Sequence, residues 1–278
     1  GVAEYGITVR WDKNFLKLIR LLLERREQFA LFGGVRFGGT LTLDEAFAFG
    51  FDHITLAVGA GKPTILDLPN ALARGVRAAS DFLMALQLTG AAKADSIANM
   101  QLRLPLVVIG GGLTAIDTAT EALAYYPLQV EKFLQRYETL TRESGEAAAR
   151  LAWDDEERVI ADEFLAHARA LRAERAAAQS AGREPRILEL LQAWGGVTIA
   201  YRRRLVDSPS YTLNHEEVQK ALEEGVRFAE GLSPAAIEVD QHGHARSIRM
   251  TCQQLGADGK WSAAGAIELP AKSILIAA

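Results

Sequence analysis

"LVVIGGGLTAIDTATEAL", residues 106–123, joins four apolar residues to three glycines and then to a sequence with helical periodicity. Gly110, Gly112 and Ala115 fit the pattern G-x-G-x-x-A and lie between a predicted strand and a predicted helix. In such a unit the first glycine makes a tight turn, the second leaves room for a pyrophosphate, and the alanine lets the helix pack closely. The stretch therefore predicts a dinucleotide-binding unit, with a simple glycine turn as the alternative.

The amino end of the predicted helix supports the same interpretation. Unpaired backbone N–H groups and the positive end of the helix dipole favour phosphate there. Gly111, Thr114 and Asp117 fall inside the same segment and join the candidate site. For Asp117 the alternative role is a favourable interaction of its carboxylate with the helix dipole.

A second segment bears on the choice of nucleotide. "GVTIAYRRR", residues 196–204, is a predicted strand that ends in Arg202, Arg203 and Arg204. Dinucleotide-binding folds recognise the ribose with a residue at the end of the second strand, which is acidic for NAD and basic for NADP. Guanidinium groups suit a 2′-phosphate because they form charge-assisted hydrogen bonds. The run predicts NADPH, and a solvated basic turn is the alternative.

The separation between these two segments is unusually long. From Gly110 to Tyr201 is 91 positions, whereas about 20 residues are usual. Residues 127–194, rich in Ala, Glu, Arg and Leu, predict two or three helices separated near Gly145 and near residues 182–185. Because loop-closure entropy grows only logarithmically with length, a helical insertion can leave the two strands adjacent. We expect it at the amino-terminal edge of the sheet, away from the phosphates.

The first 63 residues carry weaker signals. Residues 13–30 have the spacing of an amphipathic helix with a buried stripe, and residues 34–37 predict a short strand. Thr42, with Glu45 three positions on, predicts a capping box for a helix from Leu43. Residues 53–63, "HITLAVGAGKP", predict a strand that ends at Gly59 and Gly61, where the backbone could approach a ligand or form an ordinary turn.

The remaining elements follow from periodicity. Helices are predicted near residues 79–88 and over 212–224 with Gly225 as the stop, and a short strand over 226–228. An antiparallel meander is predicted for the tail, with strands at 237–240, 246–252 and 267–276.

Composition excludes several classes of function. The net charge of −4 gives no global attraction to nucleic acid, and the apolar runs are too short for a membrane span. Cys252 is the single cysteine, which excludes an internal disulfide or an iron–sulfur site made by this sequence alone and fits a reducing cytoplasm. His242 and His244 indicate a turn rather than a metal site, and no nucleophile–base signature occurs.

Two polar stretches are given structural interpretations. The acids of residues 153–158, "WDDEER", are expected to be a solvated helix face, and Ser208 and Ser210 are expected to form a loop around Pro209. The opening without Met and the closing apolar run 274–278 suggest a fragment of a longer protein.

Four segments together resemble a known family. "VVIGGGLTAIDTATEAL", "VTIAYRRR", "DSPSYTLNHEEVQKALEEGVRF" and "SILIAA" are similar to the NADPH-binding half of the small (β) subunit of glutamate synthase and its relatives, including the matching part of dihydropyrimidine dehydrogenase. "HITLAVGAGKP" resembles the crossover from the flavin domain of that family. The resemblance covers most of the chain apart from residues 127–194, whose length departs from the family.

The resemblance implies a flavin-dependent NADPH oxidoreductase in which hydride passes from NADPH to FAD and electrons pass on to iron–sulfur clusters or another flavin in the parent protein. It implies an α/β fold with a Rossmann-like three-layer NAD(P)H-binding domain at residues 61–278 and a partial flavin domain at residues 1–60. Composition and periodicity add to this domain the helical insertion 127–194 and an antiparallel β-meander. The resemblance places the pyrophosphate at Gly110, Gly112 and Ala115, and the 2′-phosphate at Arg202 and Arg203.

No side-chain acid or base is required for hydride transfer, because the cofactors supply the reactivity. The family's FAD-binding glycine motif lies ahead of residue 1, so we expect the isolated fragment to be inactive alone. The alternative hypothesis is a non-catalytic docking module, a nucleotide fold whose insertion binds a partner subunit.

Overall fold

The structure, a computed structural model, describes residues 15–57 and 64–278. The chain divides into two compact units, whose described parts are these two ranges. The smaller unit holds helices α1 (Phe15–Glu24) and α2 (Leu43–Ala48). Among residues 15–57 only Ala46 is buried. The predicted helix within residues 13–30 is therefore present, but the expectation that its apolar stripe is buried is wrong, because no neighbouring element in this range covers it.

The capping prediction for α2 is confirmed. The Thr42 hydroxyl accepts from the Glu45 N–H, and the Glu45 carboxylate accepts from the Thr42 N–H at 2.8 Å. The strand prediction for residues 34–37 is wrong, since they contribute a single bridge between Phe37 and Leu41. Of the strand predicted over residues 53–63, the described part, residues 53–57, has no regular structure. Gly59 and Gly61 lie outside the described residues.

The larger unit is built on a parallel sheet of five strands in the order β1-β8-β2-β3-β4. Its strands are β1 (Val76–Ala78), β2 (Leu106–Ile109), β3 (Val197–Ala200), β4 (Arg227–Ala229) and β8 (Ser273–Ile276). Strands β2 and β3 pair directly from Leu106 with Val197 to Ile109 with Ala200. The prediction that the glycine-rich and arginine-ending strands are neighbours is confirmed.

A second, antiparallel sheet has the order β5-β6-β7. Its strands are β5 (Leu232–Val239), β6 (Ala245–Leu255) and β7 (Trp261–Pro270), and the predicted meander is confirmed. The predicted single strand over 267–276 is wrong, because the chain ends β7 at Pro270 and enters the parallel sheet as β8.

The two sheets and the helices form three layers. Leu106 and Val108 of β2 belong to the core shared with the helices, whereas Val107 and Ile109 belong to the core shared with the antiparallel sheet. Both faces of β2 are thus buried, which explains its uninterrupted apolar sequence. The helices of this unit include α3 (Ala79–Leu88), α8 (Pro209–Glu223) and those of the insertion.

The glycine-rich helix, α4, runs from Leu113 to Ser144. It continues through Pro127, so the glycine-rich helix and the first predicted helix of the insertion are one helix. Tertiary interactions outweigh the lost backbone hydrogen bond: the Tyr125 hydroxyl accepts from Met100 N–H at 3.1 Å, and the Gln129 amide both donates to and accepts from the Leu102 backbone at 2.8 Å. At 1.5 Å per residue α4 is about 48 Å long.

The rest of the insertion comprises α5 (Glu146–Arg150), α6 (Asp155–Ala181) and α7 (Ile187–Ala193). The predicted breaks near Gly145 and near residues 182–185 are confirmed, whereas the break between α5 and α6 was not predicted. Its buried residues, Phe164 and Leu171 among them, share one core with β2 and β3. Glu163 of α6 lies 2.8 Å from Arg103 and 2.6 Å from Lys272, and these two residues lie just before β2 and β8. The insertion therefore packs at the amino-terminal edge of the sheet, as expected.

None of the helices in the described ranges is long and apolar enough to cross a bilayer. Helix α8 begins three residues earlier than predicted, at Pro209, with Ser208 as its N-cap. Serine followed by proline is a recognised helix start, so the signal was present in the sequence.

Candidate functional site

The loop between β2 and α4 requires glycine at its first position. Gly110 has φ +156°, and a Cβ there would lie 2.5 Å from the carbonyl oxygen of Ala277. Its N–H donates to Ala200 O of the neighbouring strand at 3.2 Å. Gly110 therefore makes the tight turn that the motif predicts and fixes it to β3.

The middle glycine is enclosed by side chains from other elements. A Cβ at Gly111 would lie 2.3 Å from the Tyr201 ring, which follows β3. The Gly111 carbonyl accepts two hydrogen bonds from Ser210, at 3.2 Å from the N–H and 2.9 Å from the hydroxyl. Ser208 and Ser210 are fully buried, and their hydroxyl oxygens are 3.1 Å apart. Their interpretation as simple loop formers is wrong, because Ser210 holds the glycine loop and Ser208 caps α8.

The third glycine faces open space. Gly112 is the N-cap of α4, with φ −91° and ψ 176°, and a Cβ there would have no atom of the described residues within 4 Å. Gly112 has no side chain to cap the first turn of α4, and Ala115 N–H donates to Gly112 O at 3.0 Å. The N–H groups of Leu113 and Thr114 are therefore the ones available to an anion. Thr114 is half-buried on that turn. Ala115 is fully buried, and its Cβ lies 3.2 Å from where a Gly110 Cβ would stand.

Asp117 differs from the rest of the motif. It lies one turn further along α4 than the residues that face the loop, and it is 5% exposed. Helix-dipole effects fall off beyond the first turn, so this burial fits a role within the fold better than dipole stabilisation at the surface.

The three arginines after β3 have different surroundings. Arg204 forms a bidentate pair with Asp207, at 2.7 Å and 2.8 Å, and its hydrogen bonds hold the pKa of Asp207 below the usual value. Arg202 and Arg203 are exposed and form no ion pair with any residue of the described ranges. Two guanidinium groups are therefore available next to the glycine loop, since β3 adjoins β2.

The backbone of this arginine turn is held from β4. The Glu230 carboxylate accepts from Leu205 N–H at 2.6 Å, and Gly231 N–H donates to Arg203 O at 3.1 Å. Sequence reasoning missed Glu230, because an acid after a short strand carries no signal of its long-range partner.

Two other predictions are settled by the structure. The acids of residues 153–158 are not all solvated, since Asp154 caps α6 and Glu156 is 8% exposed and ion-paired with Arg74. The turn at His242 and His244 is confirmed, with His244 buried. No cluster of metal-binding side chains is present within residues 15–57 and 64–278.

The larger unit has the three-layer fold of dinucleotide-binding domains. Its open glycine loop lies next to a turn with two arginines that form no ion pair among the described residues, which is the arrangement of a candidate dinucleotide site. The chain is similar to an uncharacterized protein of Rickettsia prowazekii (strain Madrid E), with 45% identity over 253 residues, and the alignment covers 90% of this chain but 33% of that protein. The chain thus spans about a third of the length of this curated relative. No family model matches the sequence.

Solved structures show the same fold. The Mycobacterium tuberculosis oxidoreductase FprA aligns over 99% of this chain and 60% of its own, with a TM-score of 0.54 and 19% identity. The structure of FprA in complex with NADPH aligns with a TM-score of 0.52 and 18% identity. At this identity the likeness establishes the Rossmann-like fold.

Proposed function

We propose that this chain is the NADPH-binding part of a flavin-dependent oxidoreductase of the glutamate synthase small-subunit type, in which NADPH passes hydride to FAD. The observation that carries the proposal is the side-chain-free helix start at Gly112 together with two arginines just after the adjacent strand β3, Arg202 and Arg203, which form no ion pair among the described residues. FprA, which has the same fold, is an oxidoreductase solved with NADPH. When bound, the nicotinamide and the flavin supply the redox chemistry.

The residues of this chain would bind and orient the nucleotide. Gly110 turns the backbone, Gly111 is held by Ser210, and the space over Gly112 admits the pyrophosphate next to the N–H groups of the first turn of α4. Thr114 and Ala115 complete this turn, and Asp117 is buried further along the same helix. Arg202 and Arg203 would hold the 2′-phosphate with charge-assisted hydrogen bonds.

The whole activity belongs to a longer protein. The curated relative is about three times the length of this chain, so we place the flavin domain in the rest of the parent protein. Residues 1–60 would be part of that flavin domain, and residues 53–63, with Gly59 and Gly61, would form the crossover from it. An iron–sulfur cluster in the parent protein follows from the resemblance to the family, and a cytoplasmic location follows from the single cysteine. A partner subunit at the insertion belongs to the alternative function, the docking module.

Equilibrium titration of the 278-residue chain with NADPH and with NADH tests the proposal. We expect preference for NADPH, and we expect Arg202→Ala and Arg203→Ala to abolish most of that preference. Arg204→Ala is the matched control, because Arg204 is already paired with Asp207. Binding of neither nucleotide by the folded chain would contradict the proposal and favour a docking module.

A further inference from the structure

The middle glycine of the loop is required by a tyrosine rather than by the dinucleotide motif. Gly111 occupies a variable position of the pattern G-x-G-x-x-A, and it does not have a positive φ. A Cβ there would lie 2.3 Å, 2.5 Å and 2.7 Å from Cε2, Cδ2 and Cζ of Tyr201. Glycine at this position therefore leaves room for the tyrosine ring, which lies directly against the loop.

The backbone of Tyr201 is fixed on both sides. Tyr201 directly follows β3, and its N–H donates to Ala229 O of β4 at 3.0 Å. Its carbonyl accepts from Leu232 N–H of β5 at 2.9 Å. The parallel and the antiparallel sheet thus both hold this residue, so its ring has a defined place at the edge of the glycine loop.

The hydroxyl of Tyr201 has no role in the fold. Its carrier atom, Cζ, is among the three atoms nearest to Gly111, so the hydroxyl also lies at the loop. It forms no hydrogen bond with a residue of the described ranges, and its oxygen is not buried. The hydroxyls of Tyr125, Tyr126 and Tyr137 are all hydrogen-bonded within the larger unit. The Tyr201 hydroxyl is therefore a donor that is open to a ligand.

Tyr201 stands between the two groups proposed to hold phosphates. Gly111 precedes Gly112, where the pyrophosphate is proposed to bind, and Tyr201 precedes Arg202, which is proposed to hold the 2′-phosphate. Their strands, β2 and β3, are neighbours. In NADPH the adenosine ribose joins these two phosphate groups, and the hydroxyl lies at the Gly111 end. A hydroxyl donor at that end can form a charge-assisted hydrogen bond with a phosphate oxygen.

We propose that Tyr201 is a further nucleotide-binding residue, whose hydroxyl donates a hydrogen bond to the adenosine 5′-phosphate of the pyrophosphate. The inference rests on the proposed function, since it concerns the same nucleotide site. The ring keeps residue 111 free of a side chain, and the hydroxyl adds to the backbone N–H groups a donor that both NADPH and NADH would use.

Calorimetric titration of the 278-residue chain and of Tyr201→Phe tests the proposal, with urea denaturation of both. We expect Tyr201→Phe to raise the Kd for NADPH by about tenfold, the effect of one hydrogen bond to a charged group. The urea midpoint should stay unchanged, because the hydroxyl has no partner in the fold. Tyr211→Phe is the matched control, since the hydroxyl of Tyr211 also has no partner among the described residues and its ring lines a separate groove along α8.

Two nucleotide fragments locate the contact. Adenosine 2′,5′-bisphosphate carries the 5′-phosphate and should lose about as much affinity as NADPH in Tyr201→Phe, whereas adenosine 2′-monophosphate lacks it and should bind both chains equally. If the unmodified chain binds NADPH but Tyr201→Phe binds it as tightly, this inference falls and the proposed function stands. An equal loss for both fragments, an equal loss in Tyr211→Phe, or a lowered urea midpoint in Tyr201→Phe would also overturn it. Absence of NADPH binding by the unmodified chain would overturn the proposed function itself.

Discussion

Substitution at Gly112 separates the binding role of the glycine loop from its structural role. The backbone there has ordinary N-cap angles, and no atom of the described residues lies within 4 Å of an added Cβ. Aspartate is among the preferred N-cap residues, so Gly112→Asp should raise the free energy of unfolding by a few tenths of a kcal/mol, up to about 1 kcal/mol with the dipole contribution. The same substitution places a carboxylate where the pyrophosphate is proposed to bind.

The expected effect on NADPH binding is large. At about 5 Å and an effective dielectric constant of about 20, two like unit charges repel by about 3 kcal/mol. Salt screening reduces this to about 2 kcal/mol, which is about a 30-fold rise in Kd. Gly112→Asn adds the same bulk without the charge, so the Kd of Gly112→Asp should exceed that of Gly112→Asn by about 30-fold, and this ratio should shrink at high salt.

The assay is fluorescence or calorimetric titration with NADPH, paired with urea denaturation of each variant. Gly33→Asp is the control, because Gly33 also has no described atom within 4 Å of an added Cβ and belongs to the other unit. It changes the net charge equally and should leave the Kd within about twofold. If Gly112→Asp binds NADPH as tightly as the unmodified chain, the phosphates do not lie at this loop.

Three further predictions concern neighbouring features. Gly110→Ala should lower the free energy of unfolding by at least about 2 kcal/mol, because φ is +156° and Ala277 O is 2.5 Å from the new Cβ; an unchanged urea midpoint would contradict this. Ser210→Ala removes one of two donors to Gly111 O and should cost about 1 kcal/mol of stability with a severalfold loss of NADPH affinity, measured against Thr212→Ala on the same helix. Glu163→Gln should destabilise the chain by about 3 to 5 kcal/mol at pH 7, since Arg103 loses its buried partner. Burial opposes ionisation of Glu163, but hydrogen bonds from Arg103 and Lys272 lower its pKa below the usual value. A lowered folded pKa means that this stability is present above the unfolded value and is lost as the pH falls through the folded one. The difference between Glu163→Gln and the unmodified chain in denaturation should therefore shrink as the pH falls below about 4, and a constant difference would refute the assignment.

The local signals in the sequence predicted the secondary structure around the glycine loop. The strand before Gly110, the helix after it and the pairing of β2 with β3 all follow from short patterns and the adjacency argument. The roles of residues whose partners are distant in sequence could not be predicted from these local patterns. Ser210 and Glu230 act through carbonyl and N–H groups of residues 99 and 25 positions away, and no local pattern encodes such partners.

The errors in the fold have the same origin. Local rules end a helix near Pro127, but packing of Tyr125 and Gln129 on the segment before β2 maintains it. Periodicity alone also reads residues 267–276 as one strand, because it does not show that the chain changes sheets after Pro270. Glu156 was expected to be solvated because the partner that buries it, Arg74, is remote in sequence.

The position of β8 has a consequence for the order in which the protein forms during synthesis. Residues 273–276 fill the gap between β1 and β2, and Ala277 supplies the carbonyl against which Gly110 turns. A nascent chain still lacking these residues cannot join β1 to the rest of the sheet. Residues 273–276 must therefore leave the ribosome before β1 can take its place in the sheet. Until then the unpaired edges of β1 and β2 are exposed to chaperones.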